Sequence, residues 1–237
     1  ATFARADRVV RIEIVNNRLV ANYMEPRGIV AEYDAASERY TLTLGTQGGH
    51  GMRDRIAKDI LHIPASKMRV LTPDVGGGFG TKSFCYQEYP LAAIAAKELG
   101  QPVKWISDRT EHFLVDAHGR DNYAVAEMAL DANGRFLAMR VDLLANMGAY
   151  LSQYAPFIPE GGLTMLTGVY DIPVLYSPCR GIYAHTAPVD AYRGAGRPEA
   201  AYLIERLVDK CGRETGLGPV EIRRRNFLRP EQKPYET

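Results

Sequence analysis

Three short stretches of this chain combine small residues with polar donors in the way a backbone-lined ligand site requires. Thr46-Gln47-Gly48-Gly49-His50 sets a glutamine between a strand and a helix. Asp74-Val75-Gly76-Gly77-Gly78-Phe79-Gly80-Thr81-Lys82-Ser83 carries a glycine run that ends in a Lys-Ser pair. Tyr192-Arg193-Gly194-Ala195-Gly196-Arg197 flanks small residues with arginines at a helix start. Glycine admits positive φ and close approach of backbone to a ligand. Successive amides and helix N-termini attract anions, and arginine adds forked donors. Together these features favour a polyanionic ligand over a neutral one.

The glycine run is not a nucleotide loop. A Walker loop needs glycine, four residues, then Gly-Lys-Ser or Gly-Lys-Thr, and here Thr81 separates Gly80 from Lys82. The dinucleotide fingerprint needs glycines at its first, third and sixth positions. Counting from Gly76 or from Gly78, the sixth position is Thr81 or Ser83. Taken alone, the run also reads as a glycine-rich turn without a ligand.

Bulk composition narrows the classes. The 237 residues are 46% hydrophobic and 24% charged with a net charge of +1, which fits a globular chain and offers no general signal for nucleic acid or an acidic partner. The basic run Arg223-Arg224-Arg225 reads as a solvated helix face. No apolar stretch approaches the roughly 20 residues of a membrane span. Cys85, Cys179 and Cys211 are odd in number and far apart, which points to a reducing, cytoplasmic setting and not to a disulfide framework. The histidines His50, His62, His112, His118 and His185 are scattered without zinc-motif spacing. The start at Ala1-Thr2-Phe3 and the end at Pro230 to Thr237 are those expected of a segment of a longer polypeptide.

The elements that would position the loops form an α+β pattern. Strands are expected at 9–15, 19–24, 28–33, 39–44, 68–71, 103–106, 123–130 and 136–144. Asp131-Ala132-Asn133-Gly134 joins the last two as a hairpin. Helices are expected at 51–62, 88–99, about 198–212 and 220–227, with Gly100 stopping the second. Residues 148–176 read as irregular loop with short elements. The segment thus divides into a strand-rich start with one helix, 1–70, and a portion with the glycine loops, hairpin and helices, 71–237.

The order of Met24-Glu25-Pro26, Thr46 to Arg53, Asp74 to Lys82 and Ala191 to Ala200 resembles the molybdenum-binding subunit of the xanthine dehydrogenase and aldehyde oxidase family. Within it, the resemblance points to the branch that holds large subunits of aerobic carbon monoxide dehydrogenase. It covers essentially the whole chain, as an internal portion of a longer subunit. It implies a molybdenum held by the sulfurs of a molybdopterin, in the cytosine dinucleotide form, with the protein acting through orientation and electrostatics. By motif position, Gln47 would donate to an oxo group on the metal. Gly77, Gly78, Phe79 and Gly80 would bring backbone against the cofactor, and Arg193, Gly194 and Ala195 would lie beside the metal site. The metal itself would have no direct protein ligand. Iron–sulfur and FAD partners, the remainder of the large subunit and a small-molecule substrate would complete the enzyme.

The departures carry information too. Ser83 stands where purine-oxidising members have a glutamate, Gly161 or Gly162 where they have an arginine, and Ala195 where they have an aromatic residue. Gly194 stands where carbon monoxide dehydrogenases place a copper-holding cysteine. The resemblance implies hydroxylation of an aldehyde or N-heterocycle carbon with water as the oxygen source. The family's glutamate base belongs to a downstream motif outside this chain. Glu88, Glu111, Glu160 and Glu199 read as surface or capping carboxylates, and the isolated segment is expected to be inactive. The alternatives are a non-catalytic anion- or cofactor-binding module, or half of a split enzyme whose second chain brings the base.

Overall fold

The computed structural model describes residues 1–232, 234 and 235; Lys233, Glu236 and Thr237 of the tail lie outside the described residues. In chain order the strands and helices are β1 (Arg8–Asn16), β2 (Gly28–Asp34), β3 (Arg39–Leu44), α1 (Gly49–Asp54), β4 (Met68–Leu71), α2 (Glu88–Leu99), β5 (Val103–Ile106) and α3 (Arg109–Val115). They continue with β6 (Asn122–Leu130), β7 (Phe136–Gly148), α4 (Phe157–Leu163), β8 (Leu175–Tyr176), β9 (Cys179–Tyr183), α5 (Arg197–Thr215) and α6 (Gly218–Asn226). The mixture is α+β, as the sequence pattern implies. The chain divides into two compact units, one of Ala1–Leu19 with Gly119–Thr237, the other Val20–His118.

In the first unit, β1, β6 and β7 form an antiparallel sheet, and β8 and β9 add to β7 in parallel. The β6–β7 turn closes where Asp131 accepts from the amides of Asn133 and Arg135 at 2.9 and 2.8 Å and Gly134 takes φ +79°. Helix α5 presents Ala200, Leu203, Ile204, Leu207, Val208 and Cys211 at helical spacing, all buried with the sheet residues Val10, Ile14, Ala126 and Val141. The basic run is not simply a solvated face. Arg223 bonds Glu205 and Asp209 of α5 at 2.5 and 2.7 Å, so it ties α6 to its neighbour.

The second unit has strand order β4-β3-β2-β5, parallel at β3–β4 and antiparallel elsewhere. Helix α2 buries Tyr89, Ala92, Ala93 and Ala96 with Ile29, Ala31 and Leu42 of the sheet, and Gly100 ends it at φ +62°. Three expectations need correction. Residues 19–24 do bury Ala21 and Tyr23 alternately, but among the described residues no strand pairs with them beyond a bridge from Leu19 to Gly119. The helix after Gln47 begins earlier, at Gly49, and widens into a π-helical turn over Arg55–Ile60. Helix α3 was not expected, although Asp108 and Glu111 form a legible N-terminal signal: the Asp108 carboxylate accepts from the Glu111 amide at 2.7 Å.

Candidate functional site

In the second unit, the end of β3 and the glycine loop are stitched together around Gln47. The amide of Gln47 and the hydroxyl of Thr46 both donate to the Lys82 carbonyl at 3.1 Å. Gln47 Oε1 accepts from the Gly80 amide at 2.8 Å. A backbone N–H can only donate, so the carboxamide atom facing it must be the oxygen. The Gln47 Nε2 hydrogens therefore face away, and they have no acceptor among the described residues.

The loop itself is held by its carbonyls. Gly76 O accepts from Glu25, Gly78 O from both the amide and the hydroxyl of Thr81, and Gly80 O from Ser83. Among the described residues, the amides of Gly77 and Gly78 have no acceptor. Gly77, Phe79 and Gly80 all take positive φ, at +91°, +50° and +112°. Phenylalanine is rarely found there, and such outliers cluster at ligand sites.

The glycines answer first to the loop's own packing. A Cβ on Gly76 would lie 2.5 Å from Glu25 Cβ, and one on Gly78 would lie 2.6 Å from Gln47 Oε1. Gly78→Ala is expected to push the Gln47 carboxamide out of its bond to Gly80, destabilising the fold by about 1–3 kcal/mol. Urea unfolding of the variant checks the cost, and an unchanged midpoint would contradict it.

Below the loop, the fully buried Lys82 side chain donates to Glu25 Oε2 at 2.6 Å and sits 4.6 Å from the centroid of the Tyr23 ring. Glu25 Oε2 also accepts from the Gly76 amide at 2.9 Å. Burial pushes the Glu25 carboxyl up, but the bonds from Lys82 and Gly76 outweigh it and hold the group below its ordinary 4.5.

Tyr23 leads into a buried polar cluster. Its hydroxyl donates to Asp116, whose other oxygen accepts from Arg27 Nε at 2.7 Å. Arg27 also reaches Glu88 at 3.1 Å and lies 3.6 Å over the Tyr86 ring. His112 Nδ1 lies 2.8 Å from Asp116 Oδ2 and acts as donor to it, which leaves Nε2 buried without a partner. Burial lowers the His112 pKa below its ordinary 6.5, and the attraction of Asp116 does not fully offset this. Stability from neutral His112 is thus complete above 6.5 and is lost as pH falls from there through the depressed folded value. Urea unfolding well above and well below that pH should show a larger drop for the native chain than for His112→Gln. Equal drops would contradict the assignment.

In the first unit, the loop before α5 is similarly strained. Gly194, Ala195 and Gly196 take φ +97°, +44° and +87° in succession. A Cβ on Gly194 would lie 2.5 Å from Pro198 Cγ, so the helix's opening proline requires glycine there. Arg193 is exposed. Glu199 corrects the sequence reading: it is 8% exposed and pairs with the equally buried Arg120 at 3.2 Å. Glu88 is likewise committed, to Arg27, while Glu111 opens α3 and Glu160 lies in α4. The expected site residues therefore fall in two groups. Gln47 with Gly77, Gly78, Phe79 and Gly80 stands in one unit, and Arg193, Gly194 and Ala195 stand in the other.

Comparison with known proteins decides the family. The sequence profile of the molybdopterin cofactor-binding domain matches residues 1–227. The chain belongs to that family. This molybdopterin cofactor-binding domain is 38% identical over 98% of its length to the 6-hydroxypseudooxynicotine dehydrogenase complex subunit gamma of Paenarthrobacter nicotinovorans, covering 29% of that protein. It is 37% identical over its full length to the carbon monoxide dehydrogenase large chain of Hydrogenophaga pseudoflava, covering 30% of it. The crystal structure of quinoline 2-oxidoreductase from Pseudomonas putida 86 superposes with a TM-score of 0.92 at 34% identity, over 99% of this chain and 30% of that one. The domain thus spans about 30% of the length of these relatives.

The residues present fit a molybdopterin. In the second unit the Gln47 carboxamide and the Gly77 and Gly78 amides offer N–H donors, which suits oxygens and phosphates. Among the described residues no group of three or more His, Cys, Asp or Glu side chains could hold a metal.

Proposed function

We propose that this domain forms part of the molybdopterin pocket of a molybdenum hydroxylase large subunit that oxidises an aldehyde or N-heterocycle carbon. The observation that carries the reading is the Gln47 carboxamide, fixed through its oxygen by Gly80 so that its N–H groups face outward. When bound, the molybdenum–pterin group supplies the oxidising centre for hydroxylation with water as the oxygen source. Gln47 offers its N–H to an oxygen of that group, and the Gly77 and Gly78 amides bring donors against it. Phe79 and Gly80 hold the turn that makes the approach possible, and Arg193 adds a positive charge, with Gly194 and Ala195 keeping that loop narrow.

The cytosine dinucleotide form of the cofactor, iron–sulfur and FAD partner chains, a cytoplasmic setting and a glutamate base outside residues 1–237 belong to the same proposal. It is supported by the similarity to a relative named as a complex subunit and to carbon monoxide dehydrogenase large chains. Among the described residues no helix is long and apolar enough to cross a membrane. The test is turnover by the assembled enzyme in isotope-labelled water with aldehydes and N-heterocycles. Label in a hydroxylated product supports the proposal, and product oxygen drawn from another source refutes it.

A further inference from the structure

We infer that Arg120 is the positioning residue of the Tyr192–Arg197 loop, holding the backbone from which Arg193 projects; this rests on the reading of Arg193 given above. Arg120 stands just before β6, 8% exposed, and its guanidinium bonds that loop and α5. Nη1 donates to the Tyr192 carbonyl at 2.8 Å and to Glu199 at 3.2 Å. Nη2 donates to the Arg193 carbonyl at 2.9 Å, and the guanidinium carbon lies 4.8 Å from the Tyr192 ring centroid. One planar fork thus fixes two successive peptide groups, a task for which a lysine point charge is unsuited.

The rest of the loop completes the restraint. The Ala195 amide donates to the same Tyr192 carbonyl at 2.8 Å. The carbonyls of Gly194 and Ala195 accept from the Arg197 side chain at 3.4 and 3.3 Å. Every carbonyl from 192 to 195 is therefore held from within, so the direction in which Arg193 leaves the backbone is fixed. Arg120 is itself held in an uncommon conformation. It and Asp121 take φ +65° and +66°, and Asp121 is anchored by Arg18 and Asn146 at 2.8 and 2.9 Å. Two adjacent non-glycine residues in the left-handed region persist only where surrounding contacts over-determine them.

The test uses the assembled enzyme, with Arg120→Lys, Glu199→Gln, Arg193→Ala and the double variant Arg120→Lys/Arg193→Ala. Readouts are molybdenum content, kcat and KM per molybdenum, and the electron paramagnetic resonance signal of the reduced metal. Arg120→Lys is expected to keep its molybdenum yet lose about 10- to 100-fold in kcat, with an altered resonance signal. Glu199→Gln, which keeps the fork and an acceptor but removes the negative charge that holds it, should shift kcat less and in the same direction. It serves as the test if the lysine variant does not assemble. Because Arg120 acts through Arg193, the double variant should be no slower than Arg193→Ala alone. Losses that multiply, or an unchanged kcat and signal in both Arg120→Lys and Glu199→Gln, would overturn the inference. A silent Arg193→Ala would instead overturn the reading of Arg193 itself, and the inference with it.

Discussion

Gln47→Glu in the assembled enzyme is expected to lower turnover per molybdenum by about 10- to 100-fold, the usual cost of losing an orienting group beside a metal. The substitution is chosen for its chemistry. A glutamate keeps an oxygen to accept the Gly80 amide, which lies 2.8 Å from Oε1, so the loop's internal bond survives. What disappears is the outward N–H, replaced by an oxygen that can only accept and that carries charge toward an electron-rich group. Melting temperature should change little, because the residue is exposed and its backbone amide still reaches Lys82. Steady-state kinetics normalised to molybdenum separate the two effects. A generic anion-binding module would lose affinity for any anion but would show no specific dependence on this carboxamide. Unchanged turnover in Gln47→Glu would therefore favour that alternative and remove the main support for the proposed role.

The largest expected effect on stability lies deeper, at Arg27. Its side chain is completely buried, as is that of Asp116, and Glu88 is 16% exposed. Burial opposes the charge, but the bonds and charges of Glu88 and Asp116 hold the guanidinium more firmly protonated than usual. Arg27→Met keeps much of the volume against Tyr86, Tyr89 and Trp105 while leaving the buried Asp116 with only the donors Tyr23 and His112. Breaking a buried pair by removing one member costs about 3–5 kcal/mol. Urea unfolding should show a markedly lower midpoint with little change in slope. The double variant Arg27→Met/Asp116→Asn should recover part of the loss, since no uncompensated charge is then left behind. A midpoint within error of the native chain would mean that this cluster carries no net stability.

Much of this is legible in the sequence. The bounds of α2 follow from an apolar run closed by glycine, and the structure gives Glu88–Leu99 with Gly100 in the left-handed region. The β6–β7 hairpin follows from its Asp-Ala-Asn-Gly turn in the same way. The motif order around Gln47 and the glycine loop pointed to the family, and the profile match over residues 1–227 bears that out.

What could not be read was partnership across long sequence separation. Arg27, Asp116, Arg120 and Glu199 look like ordinary charges in the sequence, because their partners lie 61 to 89 positions away. Residues 19–24 show the converse. Their alternation is real in burial, yet a strand also needs a neighbour with free backbone groups, which local sequence does not disclose. The glycines at 76 and 78 gave a third lesson. Their small size signalled a close approach, but the atoms that approach are Glu25 and Gln47 of the same chain.

The most direct test of the central claim is molybdenum and cytidine nucleotide per large subunit, measured by elemental and organic mass spectrometry on the assembled enzyme from a host that makes the cofactor. About one of each per subunit is expected, the stoichiometry of a single pterin pocket. A folded, assembled protein with neither would contradict it.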